Sequence, residues 1–110
     1  LGAFTVNGVL RMAAGTKMAG QVYTANITLD WTKPPNALVD ASSGPIIITL
    51  TSTLEIGLTY TIKKIDSSTN TVTILGTIDG ATNYALSTQY SWVTVISTST
   101  AGVWYITGKG

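Results

Sequence analysis

In two stretches, 45–50 and 59–64, the apolar side chains recur at every second residue. In PIIITL (45–50), Ile46, Ile48 and Leu50 share one face and Ile47 and Thr49 the other; in TYTIKK (59–64), Tyr60 and Ile62 oppose Thr59, Thr61 and Lys63. A period of two sets alternate side chains on opposite faces of a pleated strand and does not match the stripe of a surface helix. No segment carries a sustained helical stripe with caps at both ends. Thr, Val, Ile and Tyr dominate, and side chains branched at Cβ or aromatic favour strands. The chain reads as all-β, with strands expected at about 3–6, 8–13, 20–29, 45–51, 58–65, 71–76, 83–87, 90–97 and 102–107, each bounded by Gly, Pro, Asn, Asp or Ser.

Within this pattern TIKKIDSSTNTVTI (61–74) reads as a hairpin, with Tyr60, Ile62, Val72 and Ile74 facing inward and DSSTN supplying turn chemistry. Asp79-Gly80 is a second turn signal, and STSTAG (97–102) precedes a closing strand. Residues 45–110 are thus expected to form a meander of antiparallel strands packed as a small, jelly-roll-like β-sandwich. WTKPPNALVDASSG (31–44) holds two adjacent prolines, which cannot donate to a strand ladder, and is expected to be a loop. It divides a compact module at 45–110 from an N-terminal β segment at 1–44, which has too few inward positions for its own core and reads as a stalk or as packing between subunits.

The totals exclude several classes of function. At 110 residues the chain is one domain, able to bury roughly two-thirds of the surface its unfolded form exposes. Six Lys and Arg against five Asp and Glu leave a net charge of +1, no field for a polyanion, so no nucleic acid is expected as a partner. No apolar run reaches the 18 or so residues of a spanning helix, so no membrane insertion is expected. A chain opening at Leu1 reads as a processed product or as a fragment of a longer polypeptide. Hydrophobic residues make up 45% against 10% charged, a greasy balance that oligomerisation would relieve.

Absence of His and Cys removes the usual proton shuttle and the commonest metal ligands and thiol nucleophile. Of the carboxylates Asp30, Asp40, Glu55, Asp66 and Asp79, four sit in turns, loops or a strand end, and no GxSxG or SxxK stretch announces an activated hydroxyl. No enzyme activity, cofactor or metal site is expected. An oxygen-only cation site from Asp66, Ser67, Asn70 or Asp79 lacks the spacing of a calcium loop. Lys63 and Lys64, being adjacent, point to opposite faces, one solvated and the other at a strand end or snorkelling.

Aromatic residues carry the remaining signal, because exposed rings beside small polar groups suit sugars. One of Trp104 and Tyr105 must be core, since they alternate. Trp92, Thr94 and Ile96 oppose Val93, Val95 and Ser97, so both faces of that strand carry apolar groups, as in a strand covered by a neighbouring subunit. Trp31, beside the Pro-Pro loop, and Tyr105 are the candidate ligand-binding rings.

YTIKKIDSSTNTVTI (60–74), TIDGATNYALSTQYSWVTVIS (77–97) and VWYITGKG (103–110), opened by SSGPIIITL (42–50), together resemble a module near the C-termini of bacteriophage tail-fibre and related virion fibre or receptor-binding proteins. The resemblance spans about residues 42–110. It implies a homotrimer of small β-sandwiches packed around a common axis on the virion exterior, tail fibre or capsid surface, binding a host-surface glycan or protein and joined to other virion proteins. Tyr60, Ile62, Asp79, Gly80, Trp104 and Ile106 match its pattern, and all six read as fold residues. No family-wide ligand residues carry over. A capsid decoration or head-fibre protein without receptor binding, and a carbohydrate-binding module, are the alternatives.

Overall fold

The computed structural model describes residues 20–110, so the strands expected at 3–6 and 8–13 lie outside the described residues. Nine strands follow: β1 (Gly20–Tyr23), β2 (Ile27–Leu29), β3 (Asn36–Val39), β4 (Ile46–Leu50), β5 (Thr59–Lys64), β6 (Val72–Ile78), β7 (Ala81–Leu86), β8 (Trp92–Ser97) and β9 (Val103–Lys109). No helix occurs among the described residues. The all-β expectation holds; the sandwich does not.

The architecture is a β-solenoid. β1, β3 and β5 stack in parallel, Gly20 beside Asn36 and Asn36 beside Thr61, while β2, β4 and β6 form a second parallel stack, with Ile27, Ile48 and Ile74 in one column. Each turn of the coil runs up one stack, crosses an arch and runs through the other. The opposite stack therefore supplies the long connection that parallel neighbours require. Among the described residues antiparallel pairing enters only at the C-terminal end, where β8 pairs β5, β7 pairs β6 and β9 pairs β8.

Three expectations are corrected by this topology. Strands β5 and β6, read as a hairpin, do not pair with each other; they face each other across the core, each bonded to its own stack. Alternation and a polar reversal specify two strands and a change of direction, and a hairpin and an arch satisfy both equally. The inward positions were nevertheless as expected, for Tyr60, Ile62, Val72 and Ile74 are all buried. The meander expected over 45–110 becomes coils, and no jelly roll forms. Finally, the stretch 31–44 is only partly loop: Pro34 and Pro35 precede β3, and Thr61 N–H donates to the Pro35 carbonyl at 2.8 Å. The prolines stand just ahead of the ladder, where a missing N–H costs nothing.

One core runs through the solenoid. Leu29, Ala37, Val39 and Ala41 belong to the same cluster as Ile48, Tyr60, Ile62, Ile74, Val93 and Val95. Each of the buried Leu, Ile and Val side chains among them contributes about 1.5–3 kcal/mol relative to exposure. At the C-terminal end the chain closes the core beneath β5 and β6. Asp79 and Gly80 both take positive φ, 49° and 83°, the mirror-image turn whose twist suits a two-residue hairpin between β6 and β7. β9 then lies antiparallel to β8 and beside Thr77 and Ile78 of β6, carrying Trp104 into the core with its ring centroid 6.0 Å from that of Tyr60.

Candidate functional site

The two rims of the solenoid differ in what they expose. On the return rim, where the second stack passes back to the first, Asp30 opens a tight turn. Its carboxylate accepts the Thr32 N–H at 2.9 Å and the Thr32 hydroxyl, and Lys33 N–H closes the turn on the Asp30 carbonyl at 3.0 Å. The bonds from Thr32, with Lys33 Nζ 3.7 Å away, hold the Asp30 carboxyl below the usual carboxylate range. From beneath, the buried Tyr60 hydroxyl donates to the Asp30 carbonyl. Burial, then the nearby charges of Asp30 and Glu55, push the Tyr60 phenol up to about 12.

This pinned turn throws Trp31 outward, 73% exposed. The Trp31 backbone N–H donates to Glu55 Oε1 at 3.0 Å, which joins the turn to the next return loop, 51–58. That loop is fastened in turn to β8: Ser97 Oγ donates to the Glu55 carbonyl and accepts the Leu58 N–H at 2.8 Å. Leu54 and Ile56, on either side of Glu55, are also exposed, Ile56 at 70%. A large ring and two branched side chains thus stand in solvent on a backbone fixed by hydrogen bonds. Sequence reasoning singled out Trp31 and missed Leu54 and Ile56; the available signal was an apolar pair in a stretch without strand alternation.

The other candidate ring, Tyr105, is exposed at 53% on the outer side of β9, beside Ile96 in register. Its neighbour Trp104 is the core member of the pair, as the alternation required. Among the described residues no hydrogen bond or ring contact joins Tyr105 to Trp31. Tyr90 is exposed too, with Lys63 Nζ 5.5 Å from its ring centroid. On β8 the outer face, expected to await a neighbouring subunit, is partly covered within the chain: the Trp92 indole lies against Gly108 and Gly110, close enough that a Cβ at Gly108 would meet it at 3.3 Å.

On the arch rim the polar groups turn inward. Lys64 ends β5, as one of the two lysines was expected to, but it is fully buried rather than snorkelling, and its Nζ lies 2.7 Å from Asp66 Oδ2. The arch folds Asp66 back over the strand end, so the counter-charge arrives from two residues further along. Burial by itself would raise the Asp66 carboxyl. Hydrogen bonds from Lys64, from Ser68 and from the Ala41 N–H at 2.7 Å overcome it and hold the group well below the usual carboxylate range. Asn70 Nδ2 donates to the Ala41 carbonyl at 2.7 Å, and Asn26 Oδ1 accepts the Ile47 N–H at 2.8 Å, so side chains tie each arch to its neighbour.

The carboxylates weighed for catalysis thus have structural work. Asp40 accepts the Ser42 N–H at 2.9 Å, Asp79 accepts the Ile106 N–H at 3.0 Å, and Asp66 is engaged in the buried pair. Among the described residues no cluster of three or more Asp or Glu side chains is placed to hold a metal ion. No protein-family model matches the chain, and no curated protein matches it in sequence.

Proposed function

We propose that this chain is a non-enzymatic domain of a virion fibre that trimerises and binds a host-surface receptor, a glycan by preference, through the return-rim corner of Trp31, Leu54 and Ile56. One observation carries the reading: the corner's backbone is bonded into the solenoid at Asp30, Glu55 and Ser97 while its apolar side chains have no role in the core. A rigid aromatic face beside carboxylates and a lysine is suited to the apolar side of a sugar ring and its hydroxyls. Three copies let weak sites act together, raising avidity by about 10²–10⁴. A trimer also shelters greasy surface that few charges keep soluble.

Light scattering on the purified chain and binding to a glycan array test this together. The expected result is a threefold mass and glycan binding that Trp31→Ala lowers at least tenfold while the mass stays threefold. A stable monomer at micromolar concentration overturns the fibre reading. A trimer that binds no glycan and no cell surface overturns the receptor role and leaves a decoration protein on the capsid.

A further inference from the structure

The reversal between β6 and β7 sets an aspartate ahead of a glycine, and the aspartate has two tasks. It occupies the left-handed region at φ 49°, which among the described residues other than glycine only Tyr90 shares. It also fastens β9 to β6. The Asp79 N–H donates to the Trp104 carbonyl at 3.0 Å, and Asp79 Oδ1 accepts the Ile106 N–H at 3.0 Å. A regular parallel ladder would send the Ile106 N–H to the Asp79 main-chain carbonyl; where the chain leaves the ladder for the turn, the carboxylate receives it. The clamp matters because β6 and β9 are in register only where Thr77 sits beside Val103 and Ile78 beside Trp104.

An aspartyl-glycyl peptide carries its own electrophile and nucleophile. When the Gly80 nitrogen bonds to Asp79 Cγ, the N–H proton and the carboxyl OH leave together as one water and a cyclic imide forms. Glycine crowds that attack least, having no side chain, and nothing stands within 4 Å of where a Cβ on Gly80 would lie. One water then opens the imide. Cleavage between Cγ and nitrogen restores aspartate; cleavage between the main-chain carbonyl carbon and nitrogen leaves isoaspartate, its chain running through Cγ and one atom longer, with no net change in mass. Closure requires the Asp79 side chain and its peptide to rotate until Cγ meets the Gly80 nitrogen. In the folded chain the Ile106 N–H holds the carboxylate on β9, and the pairing of Ile78 with Ala81 fixes the turn.

We propose that Asp79-Gly80 is a self-modification site gated by β9. While β9 is docked on β6 the carboxylate is withheld; when β9 detaches, the turn closes to the imide and opens to isoaspartate. Isomerisation turns Cγ into a main-chain carbonyl carbon within a lengthened turn and moves the free carboxylate onto Cα, so the bond to Ile106 is not remade in its original form. A local opening, far short of global unfolding, is thereby recorded in the covalent chain. The inference does not depend on the receptor reading.

Incubation of the purified chain in heavy-oxygen water tests it, since each imide opening places one solvent oxygen on residue 79. Uptake is read by mass spectrometry after proteolysis for the folded chain, for the chain in rising sub-denaturing urea, and for the unfolded chain. Uptake is expected to be at least about tenfold slower folded than unfolded, and below the unfolding transition to rise in step with amide exchange at Ile106. Equal rates folded and unfolded, or uptake that does not follow Ile106 exchange, overturn the proposal. A second readout uses chain converted while unfolded and then returned to native conditions. Its isoaspartate fraction is expected to exchange the Ile106 amide at least about tenfold faster than the unmodified fraction, and equal protection overturns the gate.

Discussion

The arch rim and the return rim are built from similar loop lengths and opposite logic. At 64–71 a lysine, an aspartate, a serine and an asparagine are drawn inside and satisfied by one another and by the Ala41 backbone. At 30–35 and 51–58 the polar groups hold the backbone, and Trp31, Leu54 and Ile56 are left outside. Burying polar groups demands complete pairing, which makes the arch rim intolerant of change. The return rim spends its hydrogen bonds on rigidity, which leaves its surface free to vary in what it binds.

That contrast breaks first at Asp66. Asp66→Ala strands the Lys64 ammonium in the core and is expected to cost about 3–5 kcal/mol, measured by urea unfolding, whereas a matched loss at the return rim would show that the two rims are equally structural. The same pair sets an acid limb. The Asp66 carboxyl is depressed in the folded state, so its contribution is complete above the unfolded value near pH 4 and declines as the pH falls towards the lower folded value. Replacing both partners, Lys64→Met with Asp66→Ala, is expected to flatten that limb.

Next in size is Gly108→Val, which crowds the Trp92 ring against the closing strand. A loss of about 1–3 kcal/mol with altered Trp fluorescence is expected, and an unchanged spectrum would show that the indole is not seated there. Tyr60→Phe removes the bond to the Asp30 carbonyl and should cost about 1 kcal/mol. Because the phenol is raised in the folded state, its contribution is present below the unfolded value near pH 10 and is lost as the pH rises towards about 12; the variant is expected to lose that alkaline limb. Smallest of all is Trp31→Ala, expected to shift stability by no more than about 0.5 kcal/mol. A loss above 1 kcal/mol would make Trp31 a fold residue and erase the distinction between the rims.

Local physics was legible in the residues. The faces of Tyr60, Ile62, Val72 and Ile74 follow from a period of two, and Asp79-Gly80 announces a turn because few residues accept positive φ. β3 escaped notice because Pro34 and Pro35 dominate the stretch before it, although they lie outside its ladder. The buried place of Lys64 was hidden for a related reason: a lysine at a strand end looks solvated until an arch brings Asp66 over it.

Sequence alone determined that the chain makes strands, which of their faces are apolar, and where it must turn, since all three depend on neighbours within a few residues. Tertiary structure decided which edges pair. A polar reversal between two alternating strands permits a hairpin or an arch, and the choice rests on whether β3 and β4 are present to receive β5 and β6. The same distant pairing made one rim a sealed polar network and the other an exposed apolar corner.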